Sequence, residues 1–395
     1  MKKLIVAMMI IALVVVMAVS VSAADLTEGD FNYVVNADGN TVTITKYNGD
    51  KSVTTVDIPA QIAGKNVTVI GVKAFLQYDK LASVTIPNTV TTIEDSAFNL
   101  SDGAKDPQTL TIPNSVTKIG KQAFRNWRGL KDLVIPDSVT ELGELAFEKL
   151  RTLETITIGK GLTTVGNAPF KDARVLKKIT VAAENTAFKV ENDCLVDIAN
   201  KTVVVGAQKE TIVIPAGIET VGDYAFYGPG VATSVVRTVI VSDGVKTIGE
   251  GAFDQTAVGT LVLPKSLTEI KNNLGANTPL HKNKKGDYEL GNIYYEGTEE
   301  EYGKITKGAS NNAISGANAP IHYNSCINNP NGWTHSEGAT CTYCNPPAGG
   351  DNTGAGTGTG NGAAQTGSSV TVLAVVAVVA LAATAVVISK RRIED

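Results

Sequence analysis

The sequence predicts a β-rich solenoid in which short parallel strands of successive turns stack on one another. The 395 residues include 38 glycines and are rich in Val, Ile and Thr, which favours turns and strands over long helices. A motif of fixed apolar positions also recurs about every 23 residues. Each copy is too short to bury its own apolar side chains, so neighbouring copies are expected to share one core.

The repeat is defined by the apolar residues that follow a proline. After Pro113, aliphatic residues stand at offsets 3 and 6 and an Ala-Phe pair at offsets 10 and 11; the same offsets follow Pro87, Pro136 and Pro215. Charged residues change freely between these positions, as they do on a solvated surface. The fixed residues are therefore expected to point into the core.

Phenylalanines mark the successive turns. The repeats are 23, 26, 23 and 23 residues apart, counted between Phe75, Phe98, Phe124, Phe147 and Phe170. The following gap of 56 residues, up to Phe226, leaves room for one regular and one degenerate unit. Eight or nine units are expected.

Each turn is predicted to contain a short strand, and several turns have a glycine at the same repeat position. In LKDLVIP, Leu133 and Ile135 should face the core, Val134 should face solvent, and Pro136 should end the strand because it has no N–H to donate. A glycine follows the second aliphatic residue of a turn, where a positive φ or a close backbone contact would exclude a Cβ. These glycines are Gly71, Gly120, Gly143, Gly166, Gly222 and Gly249.

These residues resemble the BspA-like bacterial leucine-rich repeats, whose unit is close to LxxVxIPxxVTxIGxxAFxxC. The resemblance extends over roughly residues 31–323. It implies a leucine-rich-repeat array over residues 56–324, preceded by an N-terminal cap hairpin over residues 25–55 that turns at Asp38-Gly39. Ile293–Ile305 resembles the terminal unit of these proteins.

The sequence departs from the family pattern in two places. The cysteine that often follows Ala-Phe in the family is absent. Leu274-Gly275 stands where Ala-Phe is expected after Pro264, so the array is expected to fray there.

The two ends predict export and anchoring. Lys2 and Lys3, the uncharged run Leu4–Val21 and the small residues before residue 25 have the layout of a signal peptide over residues 1–24, with an uncleaved membrane anchor as the alternative. Residues 370–389 are predicted to form a transmembrane helix, and the basic tail at 390–395 would keep the C-terminus in the cytoplasm. Everything before residue 370 would then lie outside the cell.

The segment before the predicted helix is a spacer that resembles a sorting signal. Residues 346–369 are rich in Gly and Thr and lack apolar bulk, which predicts a flexible linker. The order of spacer, apolar span and basic tail resembles the signal that sortase cleaves at LPxTG in Gram-positive surface proteins. Only Thr366 and Gly367 match that motif. Attachment to the cell wall by sortase and simple retention in the membrane stay equally open.

Composition argues against several function classes. The formal net charge is −4, which suggests no nucleic-acid partner. There are three histidines, and the sequence contains no serine elbow, phosphate-binding glycine loop or HExxH motif. We therefore expect no enzyme and no required cofactor.

One segment, residues 325–345, has the residue types of a metal site. Cys326, His335, Cys341 and Cys344 have the spacing C-x8-H-x5-C-x2-C, which suits a structural Zn²⁺. A disulfide is equally compatible with an exported chain. Cys194, in the apolar context NDCLV, is expected to be a buried core residue.

The outward strand positions predict a Thr-rich face that becomes apolar toward its C-terminal end. Its candidate binding residues are Thr157, Thr180, Val213, Ile240 and Val262. Strand propensity alone would also explain this composition. The resemblance implies a surface-displayed adhesin that recognises an extracellular protein or glycan through such a face. A cell-envelope spacer without a specific ligand is the alternative.

Overall fold

The computed structural model describes residues 25–101, 108–230, 233–274, 280–282, 288–290, 292–309, 311 and 321–323. The chain divides into two compact units, Met1–Lys149 with Gly159–Pro169, and Leu150–Ile158 with Phe170–Asp395. Together the two units contain about 10 β-solenoid turns, against the eight or nine units expected.

The first unit consists of short strands, most of which lie in two sheets. Its strands are β1 (Leu26–Glu28), β2 (Phe31–Val35), β3 (Thr41–Tyr47), β4 (Thr55–Asp57), β5 (Gln61–Ile62), β6 (Lys65–Ile70), β7 (Ser83–Thr85), β8 (Thr92–Ile93), β9 (Thr109–Leu110), β10 (Lys118–Ile119), β11 (Asp132–Ile135), β12 (Glu141–Leu142) and β14 (Thr164–Val165). One sheet has the order β1-β2-β3-β6-β8-β10-β12-β14, and a second has the order β4-β7-β9. From β3 onward, neighbours in the first sheet pair in parallel.

The N-terminal hairpin turns where the sequence predicts. Strands β2 and β3 pair antiparallel, and Gly39 between them has φ 69°. One carboxylate oxygen of Asp38 accepts the backbone N–H groups of Asn40 and Thr41 at 2.8 and 2.9 Å. The Thr41 hydroxyl and these N–H groups hold the pKa of Asp38 below its ordinary value because they stabilise the carboxylate. This carboxylate therefore fixes the turn.

The repeated phenylalanines form the core of the first unit. Phe75, Phe98, Phe124 and Phe147 are fully buried. Their rings stack at centroid distances of 4.8, 5.3 and 5.4 Å, with interplanar angles of 20°, 9° and 5°. These distances approach the separation of about 4.8 Å between neighbouring strands, so one ring per turn fills the space without a gap. The predicted inward orientation is confirmed here.

The strand predicted in LKDLVIP is also confirmed. Leu133 and Ile135 of β11 are buried, whereas Val134 between them is 57% exposed. The strand ends at Ile135, directly before Pro136. The alternation follows from the two-residue period of a strand.

The glycine that follows the second aliphatic residue is required by a close contact between turns. A Cβ on Gly143 would lie 2.4 Å from the backbone N of Lys121, and one on Gly166 would lie 2.3 Å from the backbone N of Glu144. Positive φ angles occur two residues later, where Leu145 has 56° and Lys73 has 58°. Of the two explanations open from the sequence, close approach is therefore the correct one.

Replacing Lys73 with glycine is expected to raise the free energy of unfolding by up to about 1 kcal/mol. The left-handed conformation costs an L-residue about 1–2 kcal/mol, and part of this gain is offset by the larger chain entropy that glycine loses on folding. Lys73 is exposed, so little packing is lost. Urea denaturation followed by circular dichroism measures the change. Lys80→Gly, at an exposed turn residue without a positive φ, should instead be neutral or destabilising; equal losses in both variants would contradict the argument.

The second unit contains the remaining strands and one described helix. Its strands are β13 (Thr155–Ile158), β15 (Lys178–Val181), β16 (Phe188–Glu191), β17 (Cys194–Asp197), β18 (Thr202–Gly206), β19 (Thr211–Val213), β20 (Thr220–Val221), β21 (Thr238–Ile240), β22 (Thr247–Ile248), β23 (Thr260–Leu263), β24 (Glu269–Ile270), β25 (Leu280–Lys282), β26 (Tyr288–Leu290), β27 (Asn292–Tyr295), β28 (Thr306–Lys307) and β29 (Ile321–His322). The helix is α1 (Glu299–Gly303). The larger sheets have the orders β16-β17-β18-β20-β22-β24-β28 and β19-β21-β23-β27-β29.

The degenerate repeat expected before Phe226 is an antiparallel element. Strands β16, β17 and β18 pair antiparallel, and β18 then pairs in parallel with β20. Tight turns reverse the chain between these strands, so the 23-residue period disappears from the sequence there. The parallel array continues after it, with Phe226 and Phe253 stacked at 5.3 Å.

The array continues in order beyond Pro264. Leu274 is 1% exposed, and its carbonyl accepts the backbone N–H of Phe253 at 3.0 Å. The fraying expected here is therefore not found at Leu274; Gly275 lies outside the described residues. In the terminal segment, Thr298 and Glu301 form a capping box at the start of α1.

The predicted signal peptide (1–24), Cys/His segment (325–345), linker (346–369), transmembrane helix (370–389) and basic tail (390–395) lie outside the described residues. Within the ranges that the structure describes, no helix is both long and apolar enough to cross a membrane.

Candidate binding surface on the strand face

The second sheet of the first unit presents polar side chains to solvent. Its strands pair in parallel, with Ser83 opposite Thr109 and Asp57 opposite Thr85. Thr85, Thr109 and Asp57 are exposed, whereas Val84 between Ser83 and Thr85 is 4% exposed. Small hydroxyl side chains therefore cover an apolar layer.

A groove with a volume of about 700 Å³ lies over β7 and β9. It is lined by residues 83–86 and 88 of one turn, and by residues 109 and 111–115 of the next. These residues are Ser, Thr, Asn, Val, Ile and Pro, so among the described residues no charged side chain lines the groove. Its volume lies within the range of about 300–1,000 Å³ that is typical of small-molecule sites.

The groove lies at a repeat that is longer than its neighbours in the first unit. Phe98 and Pro113 are 15 positions apart, whereas the corresponding distance is 12 in the preceding turn, from Phe75 to Pro87. Strand β9 has two residues, and an isolated bridge from Gln108 to Leu130 replaces a strand pairing with β11. The spacing is therefore three residues longer here, while β8 and β10 still pair on the other face.

Ser115 shows how the two turns separate at the groove. At the same repeat position, the Ser138 hydroxyl donates to the Val116 carbonyl at 2.7 Å, and the Ser266 hydroxyl donates to the Val245 carbonyl at 2.9 Å. The Ser115 hydroxyl is buried and has no hydrogen-bond partner in the part of the chain that is described. The longer turn has lost an inter-turn bond that other turns make.

Several other polar side chains of the groove make no hydrogen bond within the described fold, although Thr85 does. The Thr85 hydroxyl donates to a carboxylate oxygen of Asp57 at 2.5 Å. Among the described residues, the side chains of Asn88, Thr109, Thr111 and Asn114 have no hydrogen-bond partner. These hydroxyl and amide groups are free to bind water or a ligand.

The binding face predicted in the second unit is only partly exposed. Thr157 and Thr180 are exposed and Val213 is partly exposed. Ile240 and Val262 are 3% and 0% exposed, so the prediction of an exposed apolar end of this face is wrong. Parallel pairing places Ile240 between Val213 and Val262, and Tyr294 on the far side of Val262. These large side chains therefore follow one another along a single column of the sheet.

The predicted metal and sorting sites are outside the described residues. Cys326, His335, Cys341 and Cys344 lie there, as do Thr366 and Gly367. The alternatives of a zinc site or a disulfide, and of wall attachment or membrane retention, therefore stay predictions. In the described part of the chain, no group of three His, Cys, Asp or Glu residues could hold a metal ion.

Cys194 is a core residue, as predicted. It is 1% exposed, and its thiol lies 3.3 Å from the carbonyl of Asn192. Burial raises the pKa of this thiol to about 12, with smaller contributions from Asp193 and Glu191. The thiol is therefore protonated at neutral pH and has little nucleophilic reactivity.

Comparisons with known proteins agree with this architecture. A family model described as "BspA type Leucine rich repeat region" matches in six copies, over residues 45–177, 103–210 and 205–284. No curated protein matches the chain. The matched family is a repeat family, and no enzyme family is indicated.

Solved structures show the same fold. A leucine-rich-repeat protein from Eubacterium ventriosum is 23% identical with a TM-score of 0.52, over 68% of this chain and 70% of that chain. A leucine-rich-repeat protein from Bacteroides ovatus is 19% identical with a TM-score of 0.52, over 76% of each chain. At these identities the likeness establishes the fold alone.

Proposed function

The chain belongs to the BspA-type leucine-rich-repeat family, and from this premise we propose that it is a non-catalytic recognition protein displayed at the cell surface. Its ligand would be an extracellular protein or glycan, bound by the exposed strand face of the solenoid. Repeat proteins of this kind use extended surfaces to bind other macromolecules, because the repeated core leaves the surface positions free to vary.

The observation that carries this proposal is the groove over β7 and β9. It has a volume of about 700 Å³ and several hydroxyl and amide groups that the fold does not use. A surface that served only as a spacer would need no such opening between turns. The groove also exists at the cost of inter-turn hydrogen bonds, as the unpaired Ser115 hydroxyl illustrates.

Display at the surface is supported by the two ends of the sequence. Residues 1–24 have the layout of a signal peptide, and residues 370–389 could anchor the chain behind the spacer at 346–369. Sortase would be a partner if Thr366 and Gly367 are its cleavage site. In either mode of attachment, the repeats would lie outside the membrane.

Saturable capture of an extracellular protein or glycan by the full-length chain is the expected result. The chain would be immobilised through its C-terminal tail and exposed to labelled extracellular proteins and to a glycan array. Heat-unfolded chain is the control and should capture nothing saturable, because binding requires the folded face. A folded chain that shows no saturable binding would contradict recognition and favour the envelope spacer.

A further inference from the structure

We propose that the groove over β7 and β9 is a binding site for a neutral oligosaccharide. This inference rests on the proposed recognition function and narrows it to one site and one chemical class of ligand. The groove is defined by residues 83–86, 88, 109 and 111–115.

The charge of the groove favours a neutral ligand. In the part of the chain that the structure describes, none of its lining residues is Asp, Glu, Lys, Arg or His. The neighbouring carboxylate of Asp57 already accepts the Thr85 hydroxyl. A sulfated or sialylated glycan, or any phosphate-bearing ligand, would enter without a cationic partner and would lie near this carboxylate, which makes binding unfavourable. Neutral ligands carry no such penalty.

The hydrogen-bonding groups of the groove match those of a sugar. Hydroxyl and amide side chains can both donate and accept, as sugar hydroxyls do. The groups occur in pairs one turn apart, Ser83 with Thr109 and Asn88 with Asn114. Because the Thr85 hydroxyl donates to Asp57, its oxygen remains an acceptor for a ligand hydroxyl. Adjacent donors and acceptors on a small area are what vicinal hydroxyls require.

The base of the groove offers a complementary apolar contact. Ile86 and Ile112 are each 7% exposed, and Pro113 beside Ile112 is also buried. A pyranose ring has C–H groups on its faces and hydroxyls around its rim. The ring can therefore rest on the exposed edges of these side chains while its rim bonds the Asn and Thr side chains.

A peptide that adds a strand to the sheet fits this groove less well. Such a peptide binds along the free edge of a strand. The groove lies over both β7 and β9, and no residue of β11 lines it. The edge of β9 that faces β11 therefore does not line the groove. Side-chain hydroxyls and amides, rather than a free strand edge, are the groups that a ligand would meet.

The test compares two tryptophan substitutions at equivalent repeat positions. Thr111 lines the groove, whereas Thr157 is equally exposed on a strand face and does not line it. The full-length chain, Thr111→Trp and Thr157→Trp would be titrated with neutral oligosaccharides of hexoses and N-acetylhexosamines. Sialylated and sulfated oligosaccharides and unstructured peptides form parallel panels. A third variant, Asn88→Ala with Asn114→Ala, removes polar groups without filling the groove, and circular dichroism confirms folding.

The expected result is binding of a neutral oligosaccharide whose Kd rises at least 10-fold in Thr111→Trp and in the double alanine variant, and is unchanged in Thr157→Trp. Equal binding by all folded variants would overturn the site. Saturable binding of charged glycans or peptides alone would overturn the ligand class and leave the recognition function standing. No saturable binding in any panel would overturn both proposals.

Discussion

Replacing Phe124 with alanine is expected to lower the free energy of unfolding by about 3–5 kcal/mol, as large-to-small core substitutions of phenylalanine do. Phe124 is fully buried, and its ring stacks on Phe98 at 5.3 Å and on Phe147 at 5.4 Å. The substitution therefore removes one ring from between two others and leaves a cavity that both neighbouring turns border. Each turn depends on its neighbours for burial, so the loss should spread beyond the substituted turn.

Trp127 provides the measurement. Its ring is fully buried 5.8 Å from that of Phe124, and its indole N–H donates to the Phe98 carbonyl at 2.9 Å. Tryptophan fluorescence during guanidinium denaturation, in a Trp333→Phe background, follows unfolding around Trp127. Val134→Ala is the matched control because Val134 is 57% exposed, and its effect should stay within about 0.5 kcal/mol. Similar losses for Phe124→Ala and Val134→Ala would contradict a shared ring stack.

Replacing Val262 with lysine is expected to destabilise the second unit by about 3–5 kcal/mol, because the substitution buries a charge without a partner. Val262 is 0% exposed and lies between Ile240 and Tyr294 in the sheet register. A lysine here would lose its hydration, and burial would lower its pKa. Loss of ligand binding in this variant would therefore report unfolding and would not map a binding surface.

The dependence on pH distinguishes burial of the charge from a steric effect. An amine whose folded-state pKa is lowered binds more protons when unfolded, so stability should rise with pH up to the ordinary lysine value of about 10.4. Denaturation midpoints of Val262→Lys and the parent chain, compared at pH 6 and pH 9, should differ more at pH 6. Thr180→Lys, at an exposed position on another strand, should change stability by no more than about 0.5 kcal/mol at either pH. A gap between Val262→Lys and the parent that is the same at both pH values would indicate that the lysine escapes to solvent.

Most of the fold could be predicted because the repeated positions hold apolar residues whose one role is to be buried in the core. The Ala-Phe pairs and the aliphatic positions predicted which side chains point inward, and Phe98, Phe124 and Phe147 confirm it. The antiparallel element at β16–β18 could not be predicted because its apolar residues do not follow the 23-residue spacing of the repeat. Periodicity identifies stacked turns and gives no information where the chain reverses direction.

The candidate site was less predictable. Alternation along a strand says which side chains leave the core, but it does not say whether other side chains cover them, and Ile240 and Val262 are covered. The groove in the first unit had one signal in the sequence, the 26-residue spacing from Phe98 to Phe124. A longer spacing locates an insertion without showing which face it opens. The lost Ser115 bond and the shortened β9 required coordinates.

The stacked rings of the first unit are accompanied by backbone hydrogen bonds that have mechanical consequences. The N–H groups of Phe98, Phe124 and Phe147 each donate to a carbonyl of the next turn at 2.8–2.9 Å. A pull that separates successive turns loads these and the other inter-turn bonds one turn at a time, so the array should yield by peeling instead of rupturing at once. Each released 23-residue turn adds at most about 80 Å of chain length. In an array held under tension at both ends, such peeling would dissipate the load.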